Sequence, residues 1–281
     1  MQHRGRIASI PQHLPAMNWR WIPPLEAGGL SQMALDQWML SRQEQADAEP
    51  MLRLYRWSRP TLSLGAHQRR VEPHWQELVA DGQIELVRRP SGGRAVLHAG
   101  ELTYALACRP ASRHRLTAYN ECCRWLQAAF AELGQPLHFG SSSAGQAQGR
   151  SSCFASGTAA DLIHADGSKR IGSAQLWRGA ALLQHGSVLL KPPISLWRQV
   201  FNEPPPPLQA LPCSAAELEQ LLRLAAEQHL CAGPLRELPL NAREQKEVQA
   251  LLADLSQRDQ AGGSAAACID RATGARAMPS G

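Results

Sequence analysis

The chain has 281 residues, 44% of them hydrophobic, and 29 Lys+Arg against 24 Asp+Glu give a formal charge of +5. That length suits one large core, or one domain with a small appendage. No apolar run reaches the length of a membrane span, and the charge excess is too small to imply nucleic acid, so the sequence predicts neither a membrane nor a nucleic-acid partner.

Residues 1–17 read as a loose leader without the apolar stretch of a secretory signal, which predicts a cytoplasmic protein. Ser31 is placed to N-cap a helix running to about Arg42, with Leu30 and Leu35 as a hydrophobic staple and Ala34, Leu35, Trp38 and Met39 on its buried side. "MLRLYRW" and "TLSLG" read as short strands, Pro73 opens a short helix that stops at Gly82, and "IELVRR" is the next strand. "LTAYNECCRWLQAAFAELG" carries Tyr119, Cys122, Cys123, Leu126, Ala129, Phe130 and Leu133 on one helical face, with Gly134 at its end. A polar, glycine-rich loop follows. Two strand-like runs then flank Asp166-Gly167, a hairpin signal, and "AALLQHGSVLL" reads as another strand.

"EPPPPLQAL" predicts a stiff linker and residues 214–256 two amphipathic helices. Residues 257–281 lack periodicity and are expected to be disordered. The expected organisation is a catalytic domain over 18–202, a linker and short C-terminal helical appendage over 203–256, and the tail. Strands joined by hairpins rather than by regularly alternating helices predict an α+β fold, with a mixed, largely antiparallel sheet and flanking helices.

Four features carry chemistry. Gly92-Gly93, flanked by Arg88, Arg89 and Arg94, allows close backbone approach and attracts an anion; a tight turn with solvated arginines explains the same residues equally well. The stretch matches neither a P-loop nor a dinucleotide fingerprint. Lys169 precedes Gly172-Ser173 inside a strand, where glycine suggests a close ligand, although an exposed edge lysine fits too. His98 and His185-Gly186 sit in apolar strands, where a hydrogen-bonded core histidine is the commoner outcome. Cys153 ends the polar loop, where a nearby cation would make its thiol a nucleophile; a buried loop anchor is the alternative. The seven cysteines are odd in number and form no CxxC pair, so neither a disulfide framework nor a metal site is expected.

Together these stretches resemble a known family. "RRPSGGRAVLHAGELTYAL", "GSKRIGSAQ" and "ALLQHGSVLL" resemble the signatures of the lipoate–protein ligase A and octanoyltransferase family, within the biotin/lipoyl protein ligase superfamily. The resemblance runs from about Trp19 to Leu190, and residues 214–256 look like the family's tail. "SCF" at Ser152–Phe154 is similar to the motif of the cysteine-dependent octanoyltransferase branch. The resemblance implies that octanoate moves from octanoyl-acyl carrier protein to Cys153. It then moves to a lysine of a lipoyl domain, on a glycine cleavage H protein or the acyltransferase subunit of a 2-oxo acid dehydrogenase. Lys169 would organise the site. Arg89, Gly92, Gly93, Arg94, His98, Gly172, Ser173, His185 and Gly186 would bind substrate, with no cofactor. Two alternatives stay open: a lipoate–protein ligase using ATP and Mg through lipoyl-adenylate, and a non-catalytic lipoyl-domain binding protein.

Overall fold

A computed structural model describes residues 18–140 and 161–273, with side chains to residue 259. Expectations on the leader, the glycine-rich loop, Cys153 and the end of the tail lie outside the described residues. In chain order the elements are β1 (Arg20–Ala27), α1 (Gly29–Gln43), β2 (Met51–Trp57), β3 (Thr61–Leu64), α2 (Pro73–Ala80), β4 (Glu85–Arg88), β5 (Val96–His98) and β6 (Glu101–Cys108). They continue with α3 (Arg115–Glu132), β7 (His138–Phe139), β8 (Asp161–Ile163), β9 (Lys169–Arg178), β10 (Ala181–Leu189), α4 (Ile194–Phe201), α5 (Ala215–His229), β11 (Arg236–Glu237) and α6 (Ala242–Thr273).

The strands form an eight-stranded sheet, ordered β11-β1-β2-β6-β10-β9-β8-β7, and a three-stranded sheet, β4-β3-β5. Pairings from β2 through β7 are antiparallel, while β1 runs parallel to both its neighbours. The fold is the expected α+β with a mixed, mostly antiparallel sheet.

Strand alternation sends side chains to opposite faces of the large sheet. Leu102, Tyr104 and Leu106 of β6 pack with α3 and α5 on one face. Ala105 and Ala107, with Leu183 of β10, meet Leu35, Trp38 and Met39 of α1 on the other. The small sheet closes over α2 and α4 through Trp75, Trp197 and Phe201.

Where the fold departs from expectation, non-local partners are the cause. Helix α1 starts at Gly29, not after Ser31, because the Glu85 carboxylate on β4 accepts the Gly29 N–H at 2.9 Å. That acceptor comes from a distant strand and displaces the local cap. Strand β1 was not among the expected elements; its Pro23-Pro24 pair falls in a register shift against β2, where missing N–H donors leave no gap in the ladder.

The helices of the C-terminal segment pack against the rest of the fold. Leu218, Leu222, Ala225 and Ala226 of α5 belong to the α3 core. Arg20 of β1 makes a bidentate pair with Glu244 of α6, both bonds 2.8 Å, and Trp38 donates to Glu247 at 2.9 Å. Removing one member of such a buried pair costs about 3–5 kcal/mol, since the other charge is stranded. Helix α6 is described as far as Thr273. Its alanines favour helix, and propagation from a docked first half is cheap.

Candidate functional site

The large sheet, α1 and the small sheet enclose a cavity of about 210 Å³. All nine residues expected to bind substrate line it: Arg89, Gly92, Gly93, Arg94, His98, Gly172, Ser173, His185 and Gly186. Met33, Trp57 and Val96 add apolar wall.

The arginines divide their work. Arg88 donates to the carbonyls of Gly65 and Gln68 at 2.8 and 2.7 Å. Arg89 donates to the carbonyls of Ser63, Gly92 and Arg94 at 2.9, 2.9 and 2.7 Å. Arg89 thus braces the glycine turn and Arg88 the neighbouring segment from Gly65 to Gln68, so neither guanidinium is simply solvated. Arg94 differs: its Nη1 is buried with no hydrogen-bond partner among the described residues, and the side chain lines the cavity. Gly93 has a φ of 102°, and a Cβ at Gly65 would lie 2.0 Å from the Gly93 carbonyl oxygen. The turn therefore needs glycine at both positions.

Both histidines are core residues and cavity residues at once. His98 bonds Glu101 Oε1 through Nδ1 at 2.5 Å and Ser63 Oγ through Nε2 at 2.7 Å, and stacks on Trp57 at 4.0 Å. His185 bonds Asp36 Oδ2 through Nδ1 at 2.7 Å and Ser91 Oγ through Nε2 at 2.5 Å. In each case the carboxylate can only accept, so Nδ1 donates to it, and Nε2 faces a serine hydroxyl. Burial alone would raise the Asp36 carboxyl, but Arg53 and His185 outweigh it and hold it below the ordinary carboxylate range.

Lys169 is buried and bonds Asp161 Oδ1 at 2.8 Å. It is therefore no exposed edge lysine. Asp161 itself lines the cavity, while Lys169 stands behind it, outside the residues that form the wall. Neighbouring Arg170 serves the opposite side, donating to His164 Nε2, the Leu189 carbonyl and the Gln209 carbonyl, which ties the proline-rich segment to the sheet. On β10, Gly186 lets β9 approach: a Cβ there would meet Ser173 Oγ at 2.6 Å and the Gly172 carbonyl at 2.7 Å.

Cys153 lies outside the described residues. Cys122, Cys123, Cys213 and Cys231 make poor nucleophiles. A bond to Cys108 and burial raise the Cys122 thiol, burial pushes Cys123 up to about 12, and burial also raises Cys213 and Cys231. A thiol so raised carries almost no thiolate near neutral pH. Among the described residues no group of three His, Cys, Asp or Glu side chains is arranged to hold a metal, and no helix is long and apolar enough to cross a membrane.

Asp36, Ser63, Ser91, Glu101 and Asp161 were not singled out from the sequence. One signal was present. Gln32 and Asp36 lie four apart within the buried stripe of α1, and polar groups so placed need a buried partner.

Comparison with known proteins places this architecture. The family profile described as lipoyl protein ligase A/B catalytic domain matches residues 29–226. Octanoyltransferase LipM of Moorella thermoacetica is 35% identical over 185 residues, covering 63% of this chain and 67% of that protein. Octanoyltransferase LipM of Carboxydothermus hydrogenoformans is 33% identical over 251 residues, covering 85% and 86%. Among solved structures, a lipoate-protein ligase A bound with ATP superposes with a TM-score of 0.70 at 20% identity, over 84% of this chain and 95% of that one. A bi-partite lipoate protein ligase from Thermoplasma acidophilum gives 0.66 at 19% identity, over 84% and 92%. These two likenesses concern the fold.

Proposed function

The chain belongs to the lipoyl protein ligase A/B catalytic-domain family, and from that premise we propose an octanoyltransferase of protein lipoylation that takes its acyl group from octanoyl-acyl carrier protein through a thioester on Cys153. The observation that carries this reading is the cavity. It brings the glycine turn, His98, Gly172-Ser173, His185-Gly186 and the Asp161 carboxylate of the Lys169 pair onto one surface.

The chemistry runs in two transfers. The Cys153 thiolate attacks the octanoyl thioester carbonyl, and the carrier's pantetheine thiolate leaves and takes a proton. A neutral lysine amine of a lipoyl domain then attacks the acyl-enzyme. The new amide loses a proton and the Cys153 thiolate departs. An amide is more stable than a thioester, so neither ATP nor another cofactor is required. Backbone N–H groups near Gly172 and Ser173 stabilise the oxyanion of each tetrahedral intermediate. Lys169, steadied by Asp161, is the positive group that favours the Cys153 thiolate and orients the carbonyl. Met33, Trp57 and Val96 receive the acyl chain, with Arg94 above the glycine turn for its polar end. The acceptor is a lipoyl domain of an H protein or of a 2-oxo acid dehydrogenase. A thiol intermediate suits a reducing compartment, which assigns the enzyme to the cytoplasm.

Mass spectrometry after mixing with octanoyl-acyl carrier protein tests the reading. One octanoyl group should add to the protein, and Cys153→Ala should abolish it. Acyl transfer that requires ATP, with no acyl-enzyme formed, would overturn it in favour of a ligase.

A further inference from the structure

Beside the cavity lies a second, open groove. Arg115, Leu116 and Tyr119 of α3 form one side, Trp177 of β9 the other, and Ser173 and Ala174 close it. Ser173 and Ala174 also line the cavity, so the two hollows meet on β9.

The rim of the groove is basic. Arg113, Arg115 and Arg178 are exposed, and Arg113 donates to the Gly179 carbonyl in the turn that follows Arg178, which places the two arginines together. None of the three makes an ion pair with a described residue. From Arg109 to Arg124 the chain carries four arginines against one carboxylate, Glu121. Leu116 is 51% exposed in the middle of this positive surface. An uncompensated basic rim around an apolar slot that reaches a reaction cavity has the features of a docking site for an acidic partner carrying a slender arm.

We propose that this groove is the donor-docking site: Arg113 and Arg178 receive the acidic face of the acyl carrier, and its phosphopantetheine arm lies between Leu116 and Trp177, delivering the thioester over Ser173. The proposal rests on the carrier-donor reading above. It separates the routes of the two parts of the donor, with the arm in the groove and the acyl chain in the cavity. Arg88 and Arg89, by contrast, donate to backbone carbonyls.

The test compares two donors, octanoyl-acyl carrier protein and octanoyl-pantetheine, which lacks both carrier and phosphate. With the double variant Arg113→Glu/Arg178→Glu, KM for the carrier donor should rise about tenfold or more, and the wild-type increase of that KM with salt should be lost. Rates with octanoyl-pantetheine should stay within about twofold. Leu116→Glu should impair both donors, because both carry the arm. An unchanged KM for the carrier donor in the double variant overturns the docking site, as does an equal loss with both donors. Failure of the wild type to use the carrier donor at all would instead overturn the reading on which it rests. Unfolding midpoints equal to wild type, expected for exposed residues, keep these outcomes interpretable.

Discussion

Adding one methyl group at either of two glycines of the same cavity should cost stability at one and leave it unchanged at the other. Gly186 sits on β10 opposite Tyr104 of β6 and Ser173 of β9. A Cβ there would lie 2.6 Å from Ser173 Oγ, 2.7 Å from the Gly172 carbonyl oxygen and 2.7 Å from Tyr104 Cε1. The hydroxyl can rotate away. The carbonyl is held in the ladder and the ring is buried against Trp125, so the strands must separate. Overpacking of this kind costs about 1–3 kcal/mol. At Gly92 a Cβ meets nothing within 4 Å, and an unhindered substitution changes stability by no more than about 0.5 kcal/mol. With a urea m-value of about 3 kcal/mol/M, Gly186→Ala should lower the unfolding midpoint by about 0.3–1 M, and Gly92→Ala should leave it in place. Octanoyl transfer should fall in both. In the first, Gly172 and Ser173 are displaced; in the second, a methyl occupies the acyl path. An unshifted midpoint for Gly186→Ala would refute the crowding argument, and full activity of Gly92→Ala would refute the path.

Three further outcomes follow from the same contacts. Lys169→Ala should abolish transfer while far-ultraviolet circular dichroism stays native; full activity would remove the lysine from its assigned role. Arg89→Lys should cut transfer about tenfold or more, because one ammonium cannot replace a planar guanidinium reaching three carbonyls; wild-type kinetics would show that the turn holds its shape unaided. Burial and the adjacent Arg170 hold the His164 imidazole below its ordinary value. The unfolded chain therefore takes the proton first. This contribution to stability is complete above the unfolded value of about 6.5 and is lost as pH falls through the folded one. Urea unfolding from pH 8 to pH 5 should show that decline, and His164→Gln should flatten it. A slope unchanged in the variant would refute the assignment.

Much of the fold was legible in the sequence because its signals were local. The stripe from Tyr119 to Leu133 defined α3, and Asp166-Gly167 gave the turn between β8 and β9, with Gly167 at φ 84°. What escaped was set by distant residues. The start of α1 depends on Glu85, 56 positions away, and β1 needs a bulge to admit its prolines. Helix α4 left a signal, Trp197, Val200 and Phe201 on one face, but in a segment of only eight residues. For the site, the resemblance supplied the residues and the structure supplied their partners. His98 announces its need for a carboxylate three positions before Glu101, whereas the Asp36–His185 bond spans 149 positions and leaves no local trace.

The clamp between Arg20 and Glu244 also bears on how the chain is made. These residues stand 224 positions apart, so at a synthesis rate of 5–20 residues per second the arginine waits roughly 10–45 s for its carboxylate to be added. During that interval the first strand has neither its charge partner nor β11, while β2, β6, β9 and β10 are already complete. The ribosome thus releases the central strands before β1 can lock. A charged, proline-interrupted edge is well suited to that wait, because it offers a poor template for pairing with a neighbouring nascent chain.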